Sequence, residues 1–298
     1  MYCKKCGNYI DESDTIICDD CAKIVSKPVE ETLDYYALKK SIFLYFILFV
    51  VGSLVSGVLA GMFYVILNPG QTIDPDNLPV DYIHFVAGIS QLLTYILITT
   101  VSIIVLKAFI KIDWEKTKGQ IPTILLHGFL GWILILLAAV AAGYILILFG
   151  IEGDSANQTE IINLVRSDYG FLMVIVTLFG APIVEELIFR KAMIDGLERT
   201  KRFSTPVIIL LSSLLFASIH IVAEATSFFS GDSTLQESLL GLAQILPYLF
   251  MGAALGFIYK KANNNIFVPM IAHFFQNAFS MLATLGFIEL TSILPFFK

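Results

Sequence analysis

From residue 41 onward the chain alternates long apolar runs with short polar segments. The runs fall at 41–67, 83–106, 121–149, 171–192, 206–223, 239–259 and 265–288. A helix needs about 20 residues to cross the hydrocarbon core of a bilayer, so each run is long enough for a span. The pattern predicts an all-α polytopic membrane protein of about 7–8 transmembrane helices. The eighth depends on 289–298, which is apolar but too short to cross and reads better as an interfacial or re-entrant tail. A polar linker, 26–40, carries Pro28, Glu30, Glu31 and Asp34 and precedes the first span.

The loops carry the orientation. Lys107, Lys111, Lys116 and Lys118 fall in 107–120, Lys191, Arg199, Lys201 and Arg202 in 191–205, and Lys260 and Lys261 in 260–264. The alternate loops 68–82, 150–170 and 224–238 are acidic, with Arg166 their one base. Basic loops stay on the cytoplasmic side, so the pattern puts the N-terminus in the cytoplasm of a multi-pass plasma-membrane protein.

Composition agrees with this reading: 57% of residues are hydrophobic and 15% charged, and mean hydropathy is +0.79. The net charge of -6, without a basic stripe to neutralise phosphates, argues against nucleic acid as the main partner. The bilayer is the first partner.

All four cysteines lie in the first 21 residues. Cys3-Lys-Lys-Cys6 and Cys18-Asp-Asp-Cys21 are two CxxC knuckles separated by eleven residues. Four thiolates in paired short spacing suit a tetrahedral structural zinc, and so small a segment needs the metal to fold. A pair of disulfides is disfavoured in a reducing compartment. Residues 1–25 are therefore expected to form a four-cysteine zinc ribbon, 26–40 the linker and 41–298 the membrane-embedded domain. Four cysteines leave no open coordination position, so stability or docking is the expected role of that zinc.

One apolar run holds charges. Glu185-Glu186-Leu-Ile-Phe-Arg190 lies inside the stretch from Gly170 to Ala192. Ionisable groups at that depth cost about 2.5–3.5 kcal/mol each on insertion scales, so they are paired or functional. In an α-helix Glu186 and Arg190 share a face, carboxylate first, as a pair prefers. Glu185 lies about 100° further round, unclaimed by that pairing. A purely structural ion pair would account for one glutamate and leave the second in lipid.

Two later runs add polar groups. Phe216-Ala-Ser-Ile-His220 ends with a histidine, and His273-Phe-Phe-Gln-Asn277 puts histidine and asparagine on one helical face. Histidine moves protons or binds metal, and asparagine steadies a developing oxyanion. A lone histidine on an apolar helix is usually a satisfied core residue; an acid pair, two histidines and an asparagine on three spans form a pattern. His84 and His127 sit at the ends of early spans and, with Trp114 and Trp132, read as interfacial or packing residues.

Glu185-Glu186-x-x-x-Arg190, Phe216-x-x-x-His220 and His273-x-x-x-Asn277, in this order, resemble the motifs of the CPBP family, the CAAX proteases and bacteriocin-processing enzymes, described as intramembrane metalloproteases. Phe250-x-Gly252-x-x-x-Gly256 is similar to that family's glycine-bearing motif. The resemblance covers about 120–285. It implies an endopeptidase that hydrolyses a peptide bond in a membrane-associated protein or peptide. It further implies Glu185 as the base that activates water, His220 sharing that water or a metal, His273 and Asn277 stabilising the oxyanion, and Glu186–Arg190 as the structural pair. A catalytic zinc on His220 and His273 is compatible with the resemblance, as is water activation by the side chains alone. Two rivals stay open: a non-catalytic scaffold or immunity factor of the same fold, and a proton-coupled transporter. The transporter would be expected to carry an internal repeat, and none is visible in the sequence.

Overall fold

The computed structural model describes residues 35–286 apart from 72, 152 and 231–233. The cysteine knuckles (Cys3, Cys6, Cys18, Cys21) and the tail 289–298 lie outside the described residues. Helices account for all the regular structure described: α1 Tyr36–Leu67, α2 Val80–Thr117 and α3 Ile121–Leu148, then α4 Ala156–Val165. Next come α5 Gly170–Arg199, α6 Thr205–His220 and α7 Val222–Ser230. Finally α8 Leu235–Ala243, α9 Ile245–Lys261 and α10 Phe267–Thr284 complete the bundle. The protein is a polytopic all-α membrane protein.

Among the described residues, fewer helices have the length and hydropathy of a span than there are apolar runs. Five of them are long and apolar enough to cross: α1, α2, α3, α5 and the continuous pair α8–α9. A sixth exists if α6 and α7, bent by 69° at Ile221, count as one. The run 206–223 yields only 16 residues of straight helix in α6, about 24 Å at 1.5 Å per residue and short of a ~30 Å core. Within the run 265–288, α10 carries His273, Gln276 and Asn277, which lower its hydropathy below that of the spanning helices. The polar groups expected to do chemistry are what weaken its span signal.

Two predicted loops are largely helix. α2 continues through Thr117 and carries Lys107, Lys111 and Lys116, while α5 continues to Arg199 and carries Lys191. Lys191 is 3% exposed. Its ammonium bonds Asp113 of α2 at 2.7 Å, Asp195 at 3.4 Å and the Asn264 carbonyl at 2.7 Å. Tyr259 donates to Asp195, and Asp113 also accepts the Ile266 amide. The helices overrun their apolar stretches because this network satisfies buried charges that open loops would leave to water.

α5 is the axis of the bundle. Residues 184–192 are buried without interruption, a helix enclosed on every side. Tyr45 of α1, Ile98 of α2, Val184, Ile188 and Phe189 of α5 and Phe216 of α6 form one core cluster. A second joins α3, α9 and α10 through Ile135, Leu255, Ile258, Val268 and Ala272. The α6–α9 contact rests on the glycine motif: a Cβ at Gly252 would stand 3.1 Å from the Ser213 Cα, and one at Gly256 2.9 Å from Ile209. Small residues at this spacing let helix backbones close up.

Candidate functional site

α5 is not a regular α-helix where its charges lie. Val176–Gly180 and Glu186–Ile194 are π-helical, a geometry concentrated at functional sites. The angular reckoning of an α-helix therefore fails from Glu186 onward, yet the expected pair forms. Arg190 donates to Glu186 Oε1 at 3.1 Å, with side chains 1% and 0% exposed. Arg190 also donates to the Gly252 carbonyl at 3.1 Å and lies over the Phe216 ring at 4.7 Å. A buried charge pair is tolerable only with such additional partners.

The same Glu186 oxygen accepts from His273 Nδ1 at 2.9 Å. A carboxylate oxygen only accepts, so Nδ1 carries a proton and Nε2 faces away from Glu186. Nε2 stands 3.9 Å from Glu185 Oε2. This is beyond a direct hydrogen bond and within the reach of one shared water.

Glu185 is 4% exposed. Its Oε2 has no hydrogen-bond partner among the described residues, a state it shares with Glu186 Oε2 and Arg190 Nε. Tyr95 of α2 and Tyr45 of α1 lie within electrostatic range of the Glu185 carboxylate. Gly180 makes this approach possible: a Cβ there would stand 3.1 Å from the Tyr95 ring. Sequence reading missed both tyrosines, because an aromatic in an apolar run gives no signal and α1 and α2 lie ahead of the motif-bearing stretch.

His220 occupies the C-terminal residue of α6, where its Nδ1 lies 2.8 Å from the Phe216 carbonyl. A carbonyl only accepts, so Nδ1–H donates and Nε2 presents a lone pair. The Phe216 ring connects the two histidines, 4.7 Å from His220 and 6.3 Å from His273 between centroids. Asn277 lies one turn beyond His273, but its amide donates to the Thr177 carbonyl at 2.8 Å, in the first π-helical stretch of α5. The fold thus brings Glu185, Glu186, Arg190 and His273 into contact, holds His220 beside them and commits one Asn277 N–H to backbone.

The donor chemistry around Glu185 is of a kind that binds zinc, since each histidine keeps Nε2 available and uses Nδ1 on an orienting acceptor. The placement is less favourable. Among the described residues no group of three or more His, Cys, Asp or Glu is gathered closely enough to hold a metal ion. For the catalytic zinc expected on His220 and His273, the described residues thus offer no preformed three-ligand centre. Of the early histidines, His84 lines a cavity of about 680 Å³ with Asp154, Glu160, Glu224 and Gln244; none of the six motif residues lines it. Trp132 packs on Phe129, Phe275 and Phe279 as a core residue.

Residues 167–279 match the family model described as type II CAAX prenyl endopeptidase Rce1-like. That window contains all six motif residues and excludes Tyr45 and Tyr95. A protein of Bacillus subtilis (strain 168) named "Putative membrane peptidase YdiL" is 27% identical over 201 residues, 66% of this chain and 72% of its own. An "Uncharacterized protein" of Mycoplasma capricolum is 26% identical over 136 residues, 44% of this chain and 34% of its own. No solved structure matches.

Proposed function

We propose that the protein is an intramembrane endopeptidase acting on a membrane-associated peptide or protein, with Glu185 as the base. The observation that carries this reading is the Glu185 carboxylate. It is buried, one oxygen has no hydrogen-bond partner among the described residues, and that oxygen faces His273 Nε2 at 3.9 Å. The Rce1-like match over 167–279 supports the reaction class.

Glu185 Oε2 takes a proton from water, and the resulting hydroxide attacks the peptide carbonyl carbon. The C=O π electrons move to oxygen, giving a tetrahedral oxyanion. His273 stabilises it through Nε2–H; with Nδ1 donating to Glu186, this role needs the imidazolium form, with the Glu186 carboxylate as its counter-charge. The second Asn277 N–H, the one not spent on Thr177, adds a donor. His220 accepts from the water through Nε2 and orients it. Collapse breaks the C–N bond as protonated Glu185 returns its proton to the leaving amine. Glu186 and Arg190 hold the histidine and the helices in place. The N-terminal Cys3, Cys6, Cys18 and Cys21 set is proposed as a separate, structural zinc ribbon on the cytoplasmic side.

Cleavage of a mixed peptide library by the purified protein, read by mass spectrometry, tests this. Glu185→Gln is nearly isosteric and should lower cleavage by about 10²–10⁴-fold with the fold intact. Equal cleavage by wild type and Glu185→Gln would overturn the assignment.

A further inference from the structure

We propose that Tyr248 is a positioning residue for His220, acting through ring stacking, and that the segment 153–157 anchors it. The inference rests on the reading that His220 takes part in the reaction. His220 is the final residue of α6, and the chain bends by 69° immediately after it. Helix ends fray, so the backbone alone does not fix this ring. Its Nδ1 bond runs to its own helix, at Phe216. The rigid neighbour from elsewhere in the fold is Tyr248 of α9, whose ring lies 4.5 Å away between centroids and only 25° from parallel.

Tyr248 is itself held at the far end. Its hydroxyl lies 2.7 Å from Ser155 Oγ and accepts from Asn157 Nδ2 at 3.3 Å. Ser155 is 5% exposed and caps α4, accepting the Gln158 amide at 3.1 Å. Two further bonds fix the segment: Gln244 Nε2 donates to the Gly153 carbonyl, and the Ala156 amide donates to Glu224 Oε1. Glu224 belongs to α7, which begins two residues after His220. Burial requires some partner for the hydroxyl; because that partner is a distant, capped segment, the same bonds also fix the plane of the ring. Here the hydroxyl is clamped and the ring face is spent on an imidazole. The chain of contacts runs Ser155/Asn157, Tyr248, His220. It keeps Nδ1–H on the Phe216 carbonyl and leaves the Nε2 lone pair in one direction.

The test uses the full-length protein in detergent, with Tyr248→Phe, Tyr248→Leu and wild type. The protein has four histidines, so ¹⁵N-histidine spectra are simple, and His220→Gln identifies the His220 signal. In wild type His220 should be the Nδ1–H tautomer. Tyr248→Phe, which keeps the stack and loses the bonds to Ser155 and Asn157, should keep that tautomer as the major form and lower kcat by an intermediate factor of about three- to tenfold. Tyr248→Leu should give a mixed tautomer and a kcat lower by about 10–100-fold, the scale of a misplaced reacting group, with KM within about twofold. An unchanged His220 signal in Tyr248→Leu would overturn the proposal. So would losses of kcat that merely follow the melting temperature in both variants. The tautomer readout needs no turnover, so it decides for or against Tyr248 even if no peptide is cleaved.

Discussion

His273 Nδ1 donates to Glu186 Oε1 across 2.9 Å, and that oxygen also accepts from Arg190. The middle carboxylate is therefore a junction between α5 and α10, and Arg190 extends it to α9 through the Gly252 carbonyl. Three helices meet on one oxygen and its guanidinium. Glu186 orients the histidine, and the histidine's other nitrogen is turned toward Glu185. Two adjacent carboxylates thus have separate work, set by which one the arginine holds.

Removing one member of this junction leaves a buried charge uncompensated, at a cost of about 3–5 kcal/mol. Arg190→Met should lower resistance to unfolding in denaturing detergent by that order and abolish cleavage. Glu185→Gln should lose cleavage at near-native stability. If Arg190→Met unfolds like wild type, the junction is not what holds the helices together.

Tyr95 predicts a subtler effect. It lies within electrostatic range of Glu185, and its ring fits because residue 180 is glycine. Tyr95→Phe removes a polar hydroxyl from beside the Glu185 carboxylate and should reduce kcat by about tenfold, with little change in melting temperature. Gly180→Ala should displace the ring and lose both activity and stability. Equal activity of Tyr95→Phe and wild type would remove Tyr95 from the site.

At the other end of α5, Lys191→Met leaves Asp113 and Asp195 buried without their shared cation. The variant should lose about 3–5 kcal/mol of stability in detergent-unfolding titrations. Asp113→Asn in the same chain should recover part of the loss, because contacting residues are not additive. Full additivity would show that the two do not interact.

Metal content separates the two proposed zinc roles. A ribbon zinc predicts about one zinc per chain by elemental analysis, lost in Cys3→Ser/Cys6→Ser. Water activation by Glu185 alone predicts that this double variant, once purified and folded, still cleaves peptide and resists chelators. Chelator-sensitive cleavage in the double variant would require a second metal at the membrane site.

Several features of the protein were legible from residue order alone, and for definite reasons. Apolar runs near the length of a bilayer mark spans because every backbone group in lipid must bond within its own helix. The Glu186–Arg190 pair is local, four residues apart, so it survives even the change from α to π geometry. The close approach of α9 to α6 was visible in Gly252 and Gly256, since glycine permits contacts that a Cβ forbids.

The tertiary structure decided what depends on contacts between distant segments. It gave His273 Nδ1 to Glu186, and it tied one Asn277 N–H to Thr177. It brought Tyr45 and Tyr95 to Glu185 from helices ahead of the motif-bearing stretch, and Tyr248 to His220. It took Lys191 out of a predicted loop and buried it against Asp113, 78 positions earlier in the chain. None of these pairings leaves a period or spacing in the sequence. Each is fixed by how helices pack around α5, where burial makes an unpartnered polar group costly and so selects which side chains meet.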